Sequence, residues 1–188
     1  AGLLILAVSL QIIPMFHVTP NFPKWLGKYL PSVLVLLLLL LFIFKPNSTG
    51  GQLIIALVLV LYSIFNLAFL RLFKQRKRKV VDTSVSFWQF SGISFLALSC
   101  LYFLPDVFYQ QIFAGNKALA LSAVFSYFYL LSIIEAMLLK IMPFLTYTHL
   151  QNLCLVDFNA MSYLPHMHEL LLKKHGQMLF KLHVISCF

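Results

Sequence analysis

Residues 34–44 read Leu-Val-Leu-Leu-Leu-Leu-Leu-Leu-Phe-Ile-Phe, eleven apolar side chains without a polar break. Carried back to Trp25, the run reaches the ~20 residues that a helix needs to cross a bilayer core. Backbone N–H and C=O groups in lipid have no water to bond, so only helices and closed barrels satisfy them. The run lacks the in–out alternation of a barrel strand, which leaves a helix.

Working outward, five more apolar stretches can be placed, at about 1–16, 53–73, 87–104, 118–145 and 177–188. The first and last stop inside apolar runs. The expected fold is therefore all-α, an integral membrane helical bundle with four complete spans (25–44, 53–73, 87–104, 118–145) and two truncated ones. We read residues 1–188 as a single transmembrane domain and as a piece of a longer chain. Composition agrees: 61% of the 188 residues are apolar and only 10% are charged. A soluble domain carries about a quarter charged residues, and a disordered chain carries few apolar ones. There is no basic segment ahead of the first apolar run, so it does not read as a signal peptide. Cys100, Cys154 and Cys187 form no CxxC, which argues against a disulfide framework or a structural zinc site.

Charge then orients the spans. Of fourteen Lys and Arg, twelve fall in the first, third and fifth connections: Lys24 and Lys28; Arg71, Lys74, Arg76, Lys77, Arg78 and Lys79; Lys140, Lys173, Lys174 and Lys181. Lys45 and Lys117 occupy the other two. The positive-inside rule places the 71–86 loop in the cytoplasm, in a multi-pass protein of a bacterial inner membrane. The Arg71–Lys79 cluster is read as resting on anionic lipid headgroups. No aromatic residues interleave with it as a nucleic-acid groove would require, so nucleic acid is not an expected partner.

One short pattern recurs. Gln11-Ile12-Ile13-Pro14-Met15-Phe16-His17-Val18-Thr19 and Lys140-Ile141-Met142-Pro143-Phe144-Leu145-Thr146-Tyr147-Thr148-His149 each place two apolar residues on either side of a proline. Each also places a threonine five positions beyond the proline. The copies stand four helices apart, compatible with a four-helix repeat. A proline within a helix frees a carbonyl. In lipid, such a kink belongs against protein or a cavity. Pro14 and Pro143 are thus either broken helix ends or kinks framing a shared site.

These two segments, together with Tyr163-Leu-Pro-His-Met-His-Glu-Leu-Leu171 and Lys181-Leu-His183, resemble a group of bacterial membrane proteins allied to the NnrS family. The group in turn resembles subunit I of the haem–copper oxidases, whose helices fall into units of four. The resemblance implies haem or copper as cofactor and a role in nitric oxide metabolism or redox stress. The oxidase HPEVY-like segment and double histidine are missing from this chain, so respiratory oxygen reduction is not expected.

Candidate residues follow. His149 lies just past Pro143, and neutral imidazole is a common ligand of haem iron and copper. His149, His17 and His183 are the candidate cofactor ligands, with His149 and His17 the first candidates for a metal; the alternative for His149 is an interfacial helix-end residue. At 100° per residue, Glu135, Met142, Thr146 and His149 share a face. Glu135 is the one acid well inside a span, where an isolated charge is costly. It is read as a proton relay or as a neutral, hydrogen-bonded packing residue. Lys140 is a poor helical partner for it at i,i+5. His166, His168 and Glu169 are read as part of an amphipathic surface helix. Tyr62 and Asn66 predict interhelical hydrogen bonds, and Ala118, Ser122 and Ser126 a close-packing stripe. Trp25, Tyr29, Trp88 and Tyr102 predict interface anchors. No GxSxG, phosphate loop or catalytic triad is legible, and no catalytic residue is assigned. The function expected from the resemblance is a haem- or metal-binding membrane protein. The alternatives are a cofactor-free proton-coupled transporter and a structural or assembly subunit partnering a membrane complex.

Overall fold

A computed structural model describes residues 2–17, 19–45, 48–76, 82–105, 117–154, 164, 170–171 and 173–187. They form six helices: α1 (Gly2–His17), α2 (Lys24–Ile43), α3 (Thr49–Lys74), α4 (Thr83–Tyr102), α5 (Lys117–Cys154) and α6 (Lys173–Cys187). Among the described residues there is no strand. The chain is all-α, and α2 to α5 are each long and apolar enough to cross a membrane. The helix α5 runs through Pro143 to Cys154, beyond the predicted end at 145. Its middle, Phe125–Leu131, is π-helical, which the sequence pattern did not indicate.

The chain divides into two compact units, Ala1–Val80 with Gly92–Leu121, and Val81–Ser91 with Ser122–Phe188. The first unit is held by an aromatic column along α3. Phe65, Phe69 and Phe73 recur one turn apart, with ring centroids 5.8 and 5.9 Å apart. Phe22 stacks on Phe65, Phe95 of α4 packs on Tyr62, and His17 meets Phe73 edge-on. Each such ring pair contributes about 0.5–1.5 kcal/mol beyond its buried area. Gly92 lets the α4 backbone come close to this column: a Cβ there would stand 2.6 Å from Phe69 Cζ. Ser48 caps α3, its Oγ accepting from the Gly51 N–H at 3.0 Å, and Arg71 and Lys74 oppose the negative end of the helix dipole.

Polar residues of this unit are only partly as predicted. Tyr62 does reach another helix, donating to the Gly2 carbonyl of α1. Asn66, fully buried, instead turns back on its own helix and donates to the Tyr62 carbonyl at 2.8 Å. Ser63 and Ser99 share a hydrogen bond of 3.0 Å between α3 and α4. Trp25 and Tyr29 are exposed as expected of interface anchors, whereas Trp88, in the second unit, is buried in a protein core. The α4 span is the most serine-rich and least apolar of the four, and the only one of them more than half buried. Two of its serines are satisfied locally, Ser91 and Ser99 donating to carbonyls three and four residues back.

Candidate functional site

The second unit is built from the first half of α4, most of α5 and α6, and its register can be read from paired contacts. Asp82 forms an ion pair with Lys140, the Ser84 hydroxyl donates to the Ala136 carbonyl at 2.8 Å, and Phe90 stacks on Phe128. Positions rise along α4 as they fall along α5, so these helices are antiparallel. Gly176 of α6 lies against Thr83, Phe180 against Phe87, and His183 against Phe90. Each pair is 93 positions apart, so α6 runs parallel to α4 and both begin at the same end. A Cβ on Gly176 would come within 3.1 Å of Thr83 Oγ1, which is why this close start is made with glycine.

Asp82 also caps α4, its Oδ1 accepting from the Ser84 N–H at 3.2 Å. At 1.5 Å per residue, the level of Phe87 and Phe90 is about 7–12 Å along the axis from this ion pair. There α6 delivers His183 between the two rings, with centroids 5.4 and 5.7 Å away, and Phe180 closes on the same rings. The imidazole is buried and both its nitrogens are engaged. Nδ1 lies 3.1 Å from Glu135 Oε2, an approach that is close but oblique. Nε2 lies 2.8 Å from Ser132 Oγ. The Ser132 hydroxyl is in turn 2.7 Å from the Phe128 carbonyl, to which it donates. Cys187, one turn beyond His183, approaches Nε2 at 3.7 Å.

The hydrogen atoms can be assigned by requiring that each group be satisfied. If Ser132 donates to Phe128, its oxygen accepts from Nε2–H. Nδ1 then either carries a proton facing a carboxylate or accepts one from a carboxylic acid. These two states differ by one proton moved between Nδ1 and Oε2, and neither leaves net charge on the pair. Burial of an unpaired charge costs several kcal/mol, which this arrangement avoids. Exposure falls along the line: the Glu135 side chain is 24% exposed, His183 2%, and Ser132 not at all. Glu135 is therefore the least buried member of the line and Ser132 the most buried, although the Oε2 that faces His183 is itself buried. The π-helical turn immediately precedes Ser132 and Glu135 and sets where they fall on the helix; such turns concentrate at functional sites.

Ser132, His183 and Glu135 stand in the order of a hydrolase triad, which sequence reading did not find because Ser132 carries no local motif. Their setting differs from a hydrolase. Ser132 is fully buried, and its own N–H is committed to the Tyr129 carbonyl inside the helix, so it cannot bind an oxyanion.

The other predicted residues are distributed as follows. Lys140 pairs with Asp82 and not with Glu135. On the predicted face, Met142, Thr146 and His149 are exposed, and only Glu135 is covered, by His183 of α6. The burial stripe instead follows Tyr129, Ser132, Ile133 and Ala136. Ala118, Ser122 and Ser126 are exposed too and do not form a packing stripe within the described residues. His17 and Pro14 belong to α1 of the first unit, where His17 is buried against Phe73; Pro143 and His149 belong to the second. Among the described residues no group of three or more His, Cys, Asp or Glu side chains is placed to hold a metal ion. His183 can ligate haem or copper through Nε2 only by giving up Ser132. His166, His168, Glu169, Lys77, Arg78 and Lys79 lie outside the described residues. No family model matches the chain, and no curated protein or solved structure is significantly similar to it.

Proposed function

We propose that the chain is a proton-handling membrane protein in which Glu135 and His183 act as one proton-binding site serving proton-coupled transport. The observation that carries this reading is the line Glu135 Oε2, His183 Nδ1, His183 Nε2, Ser132 Oγ, set among phenylalanine rings, with Glu135 and Ser132 on a helix long and apolar enough to cross a membrane and His183 on the shorter α6. Contacting carboxylate and imidazole side chains in a membrane protein are a recurrent construction of proton relays. Glu135, at the exposed end, exchanges protons with the aqueous side. His183 accepts from it and is held in one orientation by Ser132. The excess of basic residues in alternate connections, six of them in 71–79, supports a cytoplasmic 71–86 loop in a bacterial inner membrane.

The test is proton uptake into vesicles carrying the purified chain and an internal pH dye, driven by a potassium-diffusion potential. Uptake above empty vesicles, lost in Glu135→Gln and reduced in His183→Gln, is expected. Equal uptake by all three proteins contradicts the reading.

The haem or copper role in nitric oxide or redox stress, implied by the resemblance, is tested on the same sample by a Soret band and bound metal. An assembly role is tested by co-purifying subunits from native membranes.

A further inference from the structure

The first unit carries a groove of about 430 Å³ that the proton pair does not involve. One wall is the start of α2, Pro23, Trp25 and Leu26. The other is a single stripe of α3: Ile64, Leu67, Ala68, Arg71 and Leu72, ending at Gln75. From Ile64 to Gln75 the stripe advances eleven residues, about 16 Å at 1.5 Å per residue. That is about half of the ~30 Å hydrocarbon core, or one leaflet. The groove is apolar along most of this length and polar only at the end where Arg71 and Gln75 stand. Ala68, the smallest side chain of the stripe, leaves room in the floor.

The charged end is one-sided. Arg71 and Lys74 occupy the last turn of α3, Lys24 begins α2, and the first turn of α2 has no acid. Residues 1–81 contain no Asp or Glu, so no carboxylate of this stretch competes for the guanidinium. Trp25, exposed at the same level, is a headgroup-depth residue.

We infer that this groove is a binding site for one anionic phospholipid, with an acyl chain along Ile64, Leu67 and Ala68 and the phosphate on Arg71. Charge and length select this occupant together. An acyl chain alone has no use for the arginine, and a soluble phosphate has none for a leaflet-long apolar wall. Arginine forks bidentately onto phosphate oxygens, which a lysine elsewhere in the cluster cannot do.

Trp25 is the reporter, since Trp88, the other tryptophan, is buried. The chain is placed in nanodiscs of zwitterionic lipid with increasing fractions of brominated phosphatidylglycerol or brominated phosphatidylcholine, and Trp25 quenching is followed. Saturable quenching by the anionic lipid at lower fractions than by the zwitterionic one is expected. Arg71→Gln weakens that preference about fivefold, the weight of one basic side chain at an anionic surface. Ala68→Leu, which fills the floor and leaves the charges alone, lowers quenching by both lipids. Identical curves for the two lipids, or a preference unchanged in Arg71→Gln, overturn the site. Relief of the quenching by inorganic phosphate assigns the arginine to a soluble anion and overturns it as well.

Discussion

His183 and Glu135 stand 48 positions apart in the chain, yet Nδ1 of one and Oε2 of the other are 3.1 Å apart. Neither helix creates the pair alone. The α5 helix offers a carboxylate that a lipid environment would reject, and α6 brings a buried imidazole whose second nitrogen is taken by Ser132. Each residue makes the burial of the other tolerable.

Removing one partner is therefore worse than removing both. His183→Leu is expected to lower stability by about 2–4 kcal/mol, because it leaves the carboxylate facing phenylalanine rings. Adding Glu135→Leu to that variant is expected to recover most of the loss. Unfolding in mixed micelles, followed by circular dichroism as a double-mutant cycle, checks this. Strictly additive losses contradict a coupled pair.

Ser132→Ala removes the acceptor of Nε2–H at no cost in helix propensity. A loss of about 1–3 kcal/mol is expected from leaving that donor unsatisfied. The 15N resonance of Nε2 should move with it, while Cys187→Ala leaves both stability and resonance nearly unchanged. An unaltered imidazole spectrum in Ser132→Ala contradicts the orientation given to His183.

Two glycines should respond in opposite directions. Gly92→Val drives a side chain into the buried Phe69 ring and is expected to cost about 1–3 kcal/mol by overpacking. Gly27, in α2, has nothing within 4 Å of where a Cβ would stand. Gly27→Ala is expected to stabilise by about 0.5–1 kcal/mol. The two melting temperatures together check the packing of the first unit.

Asp82 both caps α4 and pairs with Lys140, and both side chains are partly exposed. Asp82→Asn keeps most of the capping ability, so the loss isolates the ion pair. It is expected to be at most about 1 kcal/mol and to shrink with added salt. A larger, salt-independent loss contradicts a partly solvated pair.

The spans were legible because lipid imposes one rule, near-continuous apolarity over a fixed length, and the chain obeys it without a break from Leu34 to Phe44. Glu135 was legible for the complementary reason: it breaks that rule. His183 was singled out only as an imidazole near a helix start, and its partner could not be read. Pairing between α5 and α6 depends on how each registers against α4, which Gly176 and Phe180 set for α6 and the Ser84–Ala136 bond for α5, and which periodicity does not encode. Ser132 was missed because a serine in a span is commonplace, and the π turn at Phe125–Leu131 is not encoded in the apolar pattern. Trp88 shows the same limit, since tryptophan favours interfaces and cores alike.

The most direct test is an infrared pH titration of the carboxyl band of Glu135, assigned by its loss in Glu135→Gln, with the chain in lipid. If one proton is shared with His183, the band should titrate at a different midpoint in His183→Gln than in the wild type. A Glu135 band whose midpoint is the same with and without His183 would contradict the shared site.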